Sequence, residues 1–143
     1  MQTFLPYENF GETARCLDRQ RLGKQRIECV QLLRALREGG GWARHPACLM
    51  WQGSEPVLAF YALCIITEWK RRGYRDQQQE VIKSLQTPAS QPRPWWLGNQ
   101  AFHAAHRSNL LRKAPEYYGQ FGWEEPATLP YQWPTPEGTF RCI

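Results

Sequence analysis

Ser54-Glu-Pro-Val-Leu-Ala-Phe-Tyr-Ala-Leu-Cys-Ile-Ile-Thr-Glu-Trp-Lys-Arg-Arg-Gly73 (residues 54–73) is the stretch on which the fold turns. Ser54 is an N-cap residue, and Pro56 is tolerated in a first turn because the donor it lacks has no helical partner there. Lys70, Arg71 and Arg72 suit the negative end of the helix dipole, and Gly73 supplies a C-terminal stop. The run Val57 to Thr67 is apolar nearly all round, which predicts a buried central helix over about 55–72. It is too short to span a bilayer.

Other helices arrange themselves around it. Asp18 to Glu38 reads as a long helix ended by Gly39, Gly40 and Gly41. Phe10 to Leu17 is good for one or two turns, and His45-Pro46 opens a short helix through Trp51. Asp76 caps a weaker helix through Leu85, and a further helix runs from about Asn99 to Lys113, with a turn at Pro115 to Tyr118. TPASQPRPWWLG (87–98) reads as a Pro-rich connection. The last 23 residues, with Pro126, Pro130, Pro134 and Pro136, read as an irregular Pro/Trp-rich strap. No alternating strand and no internal repeat stands out. The expectation is an all-α, single compact domain over 1–143, with its core at about 10–120 and the strap at 121–143.

Charge is unevenly placed. The chain of 143 residues carries 18 Lys plus Arg against 13 Asp plus Glu, net +5. Residues 1–44 and 86–120 each carry +3, whereas the strap carries −2. Arg outnumbers Lys 14 to 4, and its planar fork clamps phosphate well. A GC-rich genome would raise Arg equally. Seven Trp are too many for a small core, so some are expected to line a groove or clamp a tail. Five Cys, odd in number and without C-x-x-C, point to reduced thiols rather than a zinc ribbon or disulfide framework. The N-terminus MQTFLPYENF has no signal-peptide pattern, so a cytoplasmic protein with no membrane contact is expected. Neither G-x-x-x-x-G-K-S/T nor G-x-G-x-x-G occurs.

The chemistry-bearing segment is LDRQRLGKQRIECVQLL (17–33). At 100° per residue Arg21, Lys24, Glu28 and Gln31 share one stripe, opposite Leu22, Cys29, Leu32, Leu33 and Leu36. An i, i+4 pair of Lys24 and Glu28 is most simply a solvent-facing ion pair, although Lys before Glu is the less stabilising order. His103 and His106 are three apart on a helix, but no third ligand at suitable spacing accompanies them, so no metal and no cofactor is expected.

These residues resemble a known family. D-x-x-R-L-x-K-x-x-x-E-x-x-Q (18–31), the His45-Pro46…Trp51 element, KRRGY (70–74) and LLRKAPEYYG (110–119) are similar to the pyrimidine-dimer DNA glycosylase (phage endonuclease V-like) superfamily, closest to a branch of small bacterial proteins. The resemblance spans about residues 10–120. It implies an all-α DNA repair glycosylase with AP-lyase activity that flips a nucleotide, cleaves the glycosidic bond and then the strand. In that family an α-amine at the chain start attacks the sugar C1′ to form a Schiff base, assisted by a helix carboxylate.

Glu28 falls where that carboxylate stands, and Arg21 matches the basic residue one turn earlier. Ile27 and Gln31 stand where the family has arginines, which weighs against cyclobutane-dimer recognition. Gln2 is large, so Met1 is expected to remain and to supply the amine. An α-amine is intrinsically less basic than a lysine side chain by about 2.5 pH units, so more of it is neutral and nucleophilic at physiological pH. Met1 is therefore preferred, provided MQTFLPY folds back toward Glu28, with Lys24 as the reserve.

Further expectations concern DNA and base contacts. Arg21 and Gln31 orient phosphate and base, and Trp51 stacks on the extruded base. Arg71 and Arg72 form one phosphate-facing edge, and His106, Arg107 and Lys113 form another. Tyr117 and Tyr118 match the family's DNA-facing aromatic pair, with packing as the plainer reading. His45 touches phosphate or base, or caps its helix. The partner implied is duplex DNA with a damaged, modified or abasic site. Two alternatives stay open: a DNA- or RNA-binding protein that keeps the groove without the chemistry, and a protein-interaction module using the Trp- and Pro-rich tail.

Overall fold

In the computed structural model, which describes residues 1–86 and 93–142, the apolar run forms a helix, Glu55–Arg71. It is α4 of seven α-helices among the described residues, after α1 (Phe10–Cys16), α2 (Arg19–Glu38) and α3 (Pro46–Leu49). α5 (Gln79–Leu85), α6 (Gln100–Lys113) and α7 (Pro115–Tyr118) follow it. Leu58, Tyr61, Ala62, Ile65 and Ile66 of α4 are buried, and α2 is its main partner. One edge of α4 reaches the surface, where Phe60 is 58% exposed. Of the 87–98 connection, residues 87–92 lie outside the described residues.

The helix ends follow side-chain chemistry. Asn9, Asp18 and Asn99 accept the backbone N–H three residues on, at the starts of α1, α2 and α6. Asp76 does the same for Gln79 at 2.8 Å. Ser54 makes no side-chain cap; instead Glu55 reaches back to accept Gly53 N–H at 3.1 Å. Gly73 ends α4 with φ +95°. The close approach of α2 and α4 needs Gly23, because a Cβ there would lie 2.8 Å from the Trp69 ring.

The C-terminal strap is not wholly irregular. Gln132–Pro134 (β1) pairs antiparallel with Phe140–Cys142 (β2), with Trp133 opposite Arg141. The cause is local: Thr135-Pro136-Glu137-Gly138 forms a hydrogen-bonded turn with Gly138 at φ +89°, and Thr135 N–H donates to Thr139 O at 2.8 Å. Pro at the second turn position and left-handed Gly at the fourth are what a bulged hairpin loop requires.

The strap before this hairpin is tied to α6. Arg107 pairs with Glu125 at 2.7 Å, Ser108 Oγ donates to Pro126 O at 2.5 Å, and Leu129 N–H donates back to Ser108 Oγ at 2.9 Å.

Candidate active site

An N-terminal segment buries Gln2, Thr3 and Leu5 in the molecule, and side chains from three helices, α2, α4 and α6, satisfy its backbone. The Gln25 carboxamide of α2 donates to Gln2 O at 2.7 Å and accepts Phe4 N–H at 3.0 Å. It thus flanks Thr3 as a residue of a parallel strand would. Tyr61 of α4 donates to Phe4 O at 2.6 Å, and Trp51 Nε1–H donates to Thr3 Oγ1 at 3.1 Å.

Two histidines of α6 take both polar groups of Leu5. His103 Nδ1–H donates to Leu5 O at 2.7 Å, while its Nε2 accepts Gly98 N–H at 3.0 Å. Those partners fix the tautomer. His106 Nδ1 accepts Leu5 N–H at 3.1 Å. Burial pulls both imidazoles down, His106 to about 3, so both are neutral at physiological pH. Arg107 donates to Pro6 O at 2.7 Å. Buried polar groups are tolerable here because each has found a partner.

The segment ends beside Glu28. Gln2 N–H donates to Glu28 Oε2 at 3.0 Å, which places Met1 at the rim of an open pocket of about 340 Å³. Its walls are Met1, Gln2 and Phe4; Gln20, Arg21, Lys24, Gln25 and Glu28 of α2; Lys113 at the end of α6; and Tyr131 and Trp133 of the strap. Arg21 is turned by Asp18, whose carboxylate also accepts the buried Tyr118 hydroxyl. Lys24 Nζ lies 3.9 Å from Glu28 Oε1, a loose pair in which the lysine side chain is 75% exposed and the carboxylate 13%. Three cationic side chains and Met1 thus line one pocket with the Glu28 carboxylate, a field suited to a phosphate-bearing substrate. Burial drives the Cys29 thiol next to Glu28 far up, so it offers no thiolate.

The expected residues divide sharply. Met1, Arg21, Lys24, Glu28 and Lys113 meet in this pocket, and the condition that MQTFLPY fold back is met. His45 stands at its edge: its Nδ1 accepts Ala47 N–H at 3.0 Å, the capping alternative, and its ring centroid is 6.0 Å from that of Trp133. Burial first and the Met1 ammonium second lower its pKa, against Glu28, so it lies within electrostatic reach of both.

Several expectations are corrected. Trp51 is fully buried against Trp96 and Tyr61 and has no face for a base. His106 is likewise buried and holds Leu5 rather than phosphate. Arg107 is engaged by Glu125 and Pro6 O. Arg72 donates to the carbonyls of Ala14, Arg15 and Leu17 at the end of α1 and pairs with buried Glu68. Arg71 bonds the same carboxylate at 2.7 Å while its own side chain stays 67% exposed, so only Arg72 is withdrawn from the surface; together they hold the Glu68 carboxyl below its ordinary range against the cost of burial. Tyr118 is buried and Tyr117 half-buried in an aromatic cluster with Phe121. Gln31 is exposed on α2 and does not line the pocket.

Sequence reasoning missed Gln25, Tyr131 and Trp133. Gln25 had a signal, a carboxamide within the apolar stripe of Leu22, Cys29 and Leu32. The strap pair had none, since nothing local says which surface a Pro-rich tail crosses.

No curated protein and no solved structure matches the chain. A family model described as pyrimidine dimer DNA glycosylase matches residues 1–80, which includes the first nine residues that the motif-based resemblance left out and stops short of α6 and the strap. That match covers more than half of the sequence and includes both the N-terminal segment and the Glu28 helix: the chain belongs to the pyrimidine dimer DNA glycosylase family.

Proposed function

We propose that this protein excises a damaged or modified base from duplex DNA with its N-terminal amine and then cleaves the strand as an AP lyase. The observation that carries the reading is the Gln2 N–H to Glu28 Oε2 bond, which pins the residue next to the amine against a carboxylate at an open cationic pocket. The neutral Met1 amine adds its lone pair to the sugar C1′ as the base departs with the bonding pair of the glycosidic bond. Loss of the amine proton and opening of the sugar ring give an imine at C1′. A C2′ proton then leaves, and the 3′ phosphate departs by β-elimination. Glu28 is the proton carrier for these steps and balances the cationic imine. Arg21 and Lys113 hold phosphates flanking the extruded nucleotide, and Lys24 is the reserve amine.

Incubation with a duplex bearing one abasic site, followed by borohydride, tests this. A covalent adduct is expected from the wild type and a strongly reduced one from Glu28→Gln with DNA affinity kept. Tight salt-sensitive binding without adduct or strand cleavage would reject the lyase.

A second reading, DNA binding without chemistry, is favoured by one feature. Ile27, where the family carries arginine, is 46% exposed on the catalytic helix and brings no phosphate contact. The same trapping assay separates the two.

A further inference from the structure

The pocket has two unlike halves. Its α2 side is polar and cationic, with Glu28 at its base. Its opposite side is aromatic, made by Tyr131 and Trp133 of the strap. These two rings lie 5.5 Å apart at 42°, and each is only half-buried. They are held from behind, since Tyr131 packs on His106 at 5.7 Å and Trp133 on His45 at 6.0 Å.

The strap carries a net charge of −2, and the two strap residues that line the pocket, Tyr131 and Trp133, are uncharged, so they add no cation for phosphate. What the strap brings to a cationic pocket is ring area in the same lining as the carboxylate. The family match ends at residue 80, so this wall comes from outside the matched segment.

Building on the amine–Glu28 reading, we infer that Tyr131 and Trp133 form the base-binding wall of the site, taking the extruded nucleobase in stack and setting which bases are accepted. A pocket of about 340 Å³ lies at the small end of ligand sites and suits one flipped nucleotide. Aromatic stacking holds a base through its π-face, in keeping with a wall of two rings that carries few hydrogen-bonding groups. Chemistry and base choice are then divided between two parts of the chain that meet across one pocket.

The division makes a test. Two duplexes identical except at one position are compared, one holding a tetrahydrofuran residue, which has no base, the other a mispaired 2-aminopurine. Trp133→Leu and Tyr131→Leu are expected to bind the 2-aminopurine duplex about ten-fold or more weakly, the scale of one lost stacking contact. Their affinity for the tetrahydrofuran duplex should stay within about two-fold, which also shows that the fold is intact. Trp133→Phe, which keeps a ring, should recover most of the loss.

Equal loss on both duplexes, or no loss on either, overturns the inference. A measurement on the wild type covers the case in which the leucine variants fail to fold. Irradiation of a complex with 5-iodouracil at the mispaired position is expected to crosslink within residues 131–133, and a crosslink confined elsewhere contradicts the proposal. Borohydride trapping on abasic DNA is read separately. If the wild type gives no adduct while the 2-aminopurine preference depends on Trp133, the amine chemistry is wrong and the base wall stands.

Discussion

Protonating His106 is expected to loosen the N-terminal segment and with it the active site. The ring is 1% exposed, its Nδ1 accepts Leu5 N–H at 3.1 Å, and burial with neighbouring His103 lowers its pKa from 6.5 to about 3. In the unfolded chain the same imidazole takes a proton near its ordinary value, so between these two pH values the unfolded state binds more protons. The stabilisation is therefore fully present above about pH 6.5 and is lost as pH falls toward 3, at about 1.4 kcal/mol per pH unit.

At pH 5 the loss from His106 is about 2 kcal/mol, a sizeable part of the roughly 5–15 kcal/mol that holds a domain folded. His103, also lowered by burial, acts in the same direction. Urea unfolding at pH 7 and pH 5 reads the effect. His106→Gln is the control, because a carboxamide oxygen can accept the Leu5 N–H but does not titrate in this range. The wild type should lose about 2 kcal/mol more than the variant between the two pH values. Parallel losses would refute the assignment of acid sensitivity to this histidine.

Other perturbations bear on different parts of the structure. Gly23→Ala places a methyl 2.8 Å from the Trp69 ring and should cost about 1–3 kcal/mol in thermal or urea unfolding; an unchanged midpoint would mean α2 and α4 part easily. Tyr61→Phe leaves Phe4 O without its 2.6 Å donor, which should destabilise by about 1–3 kcal/mol and lower trapping on abasic DNA. A loss of stability with full trapping would show that the amine does not depend on this clamp. Arg21→Ala and Lys113→Ala should each weaken binding and reduce the log–log salt dependence by about one, and an unaltered slope would remove that residue from phosphate contact. Amine chemistry draws on no metal, so cleavage of abasic DNA should persist in EDTA; abolition by chelation and rescue by a divalent ion would count against the mechanism.

Local periodicity and end signals carry most of the helical architecture, because α2, α4 and α6 are each specified by caps and stripes within their own sequence. The stripe of Arg21, Lys24 and Glu28 was equally legible, since one helix face sets it. Three kinds of feature were not. Polar residues such as His103 and His106 look like ligands or solvent-facing groups until the backbone they hold is in place. Arg72 and Arg107 look free to meet DNA for the same reason, although one is taken up by α1 carbonyls and the other by Glu125 and Pro6 O. The strap is the third case. Its Pro136-Glu137-Gly138 turn was a readable hairpin signal hidden by the surrounding prolines, but its place in one pocket with α2, more than 100 residues earlier, leaves no local trace. Trp51 illustrates the cost: an indole near a DNA-binding motif suggests stacking, yet Thr3 and Trp96 enclose it.

The most direct test of the central claim is to locate the covalent bond. After borohydride reduction of the wild type on abasic duplex, the protein is digested and the sugar remnant mapped by tandem mass spectrometry. The account predicts the remnant on the α-amine of Met1, with Lys24→Ala still trapped and an N-terminally acetylated protein not. A remnant on Lys24, or trapping that survives acetylation of the terminus, would contradict it.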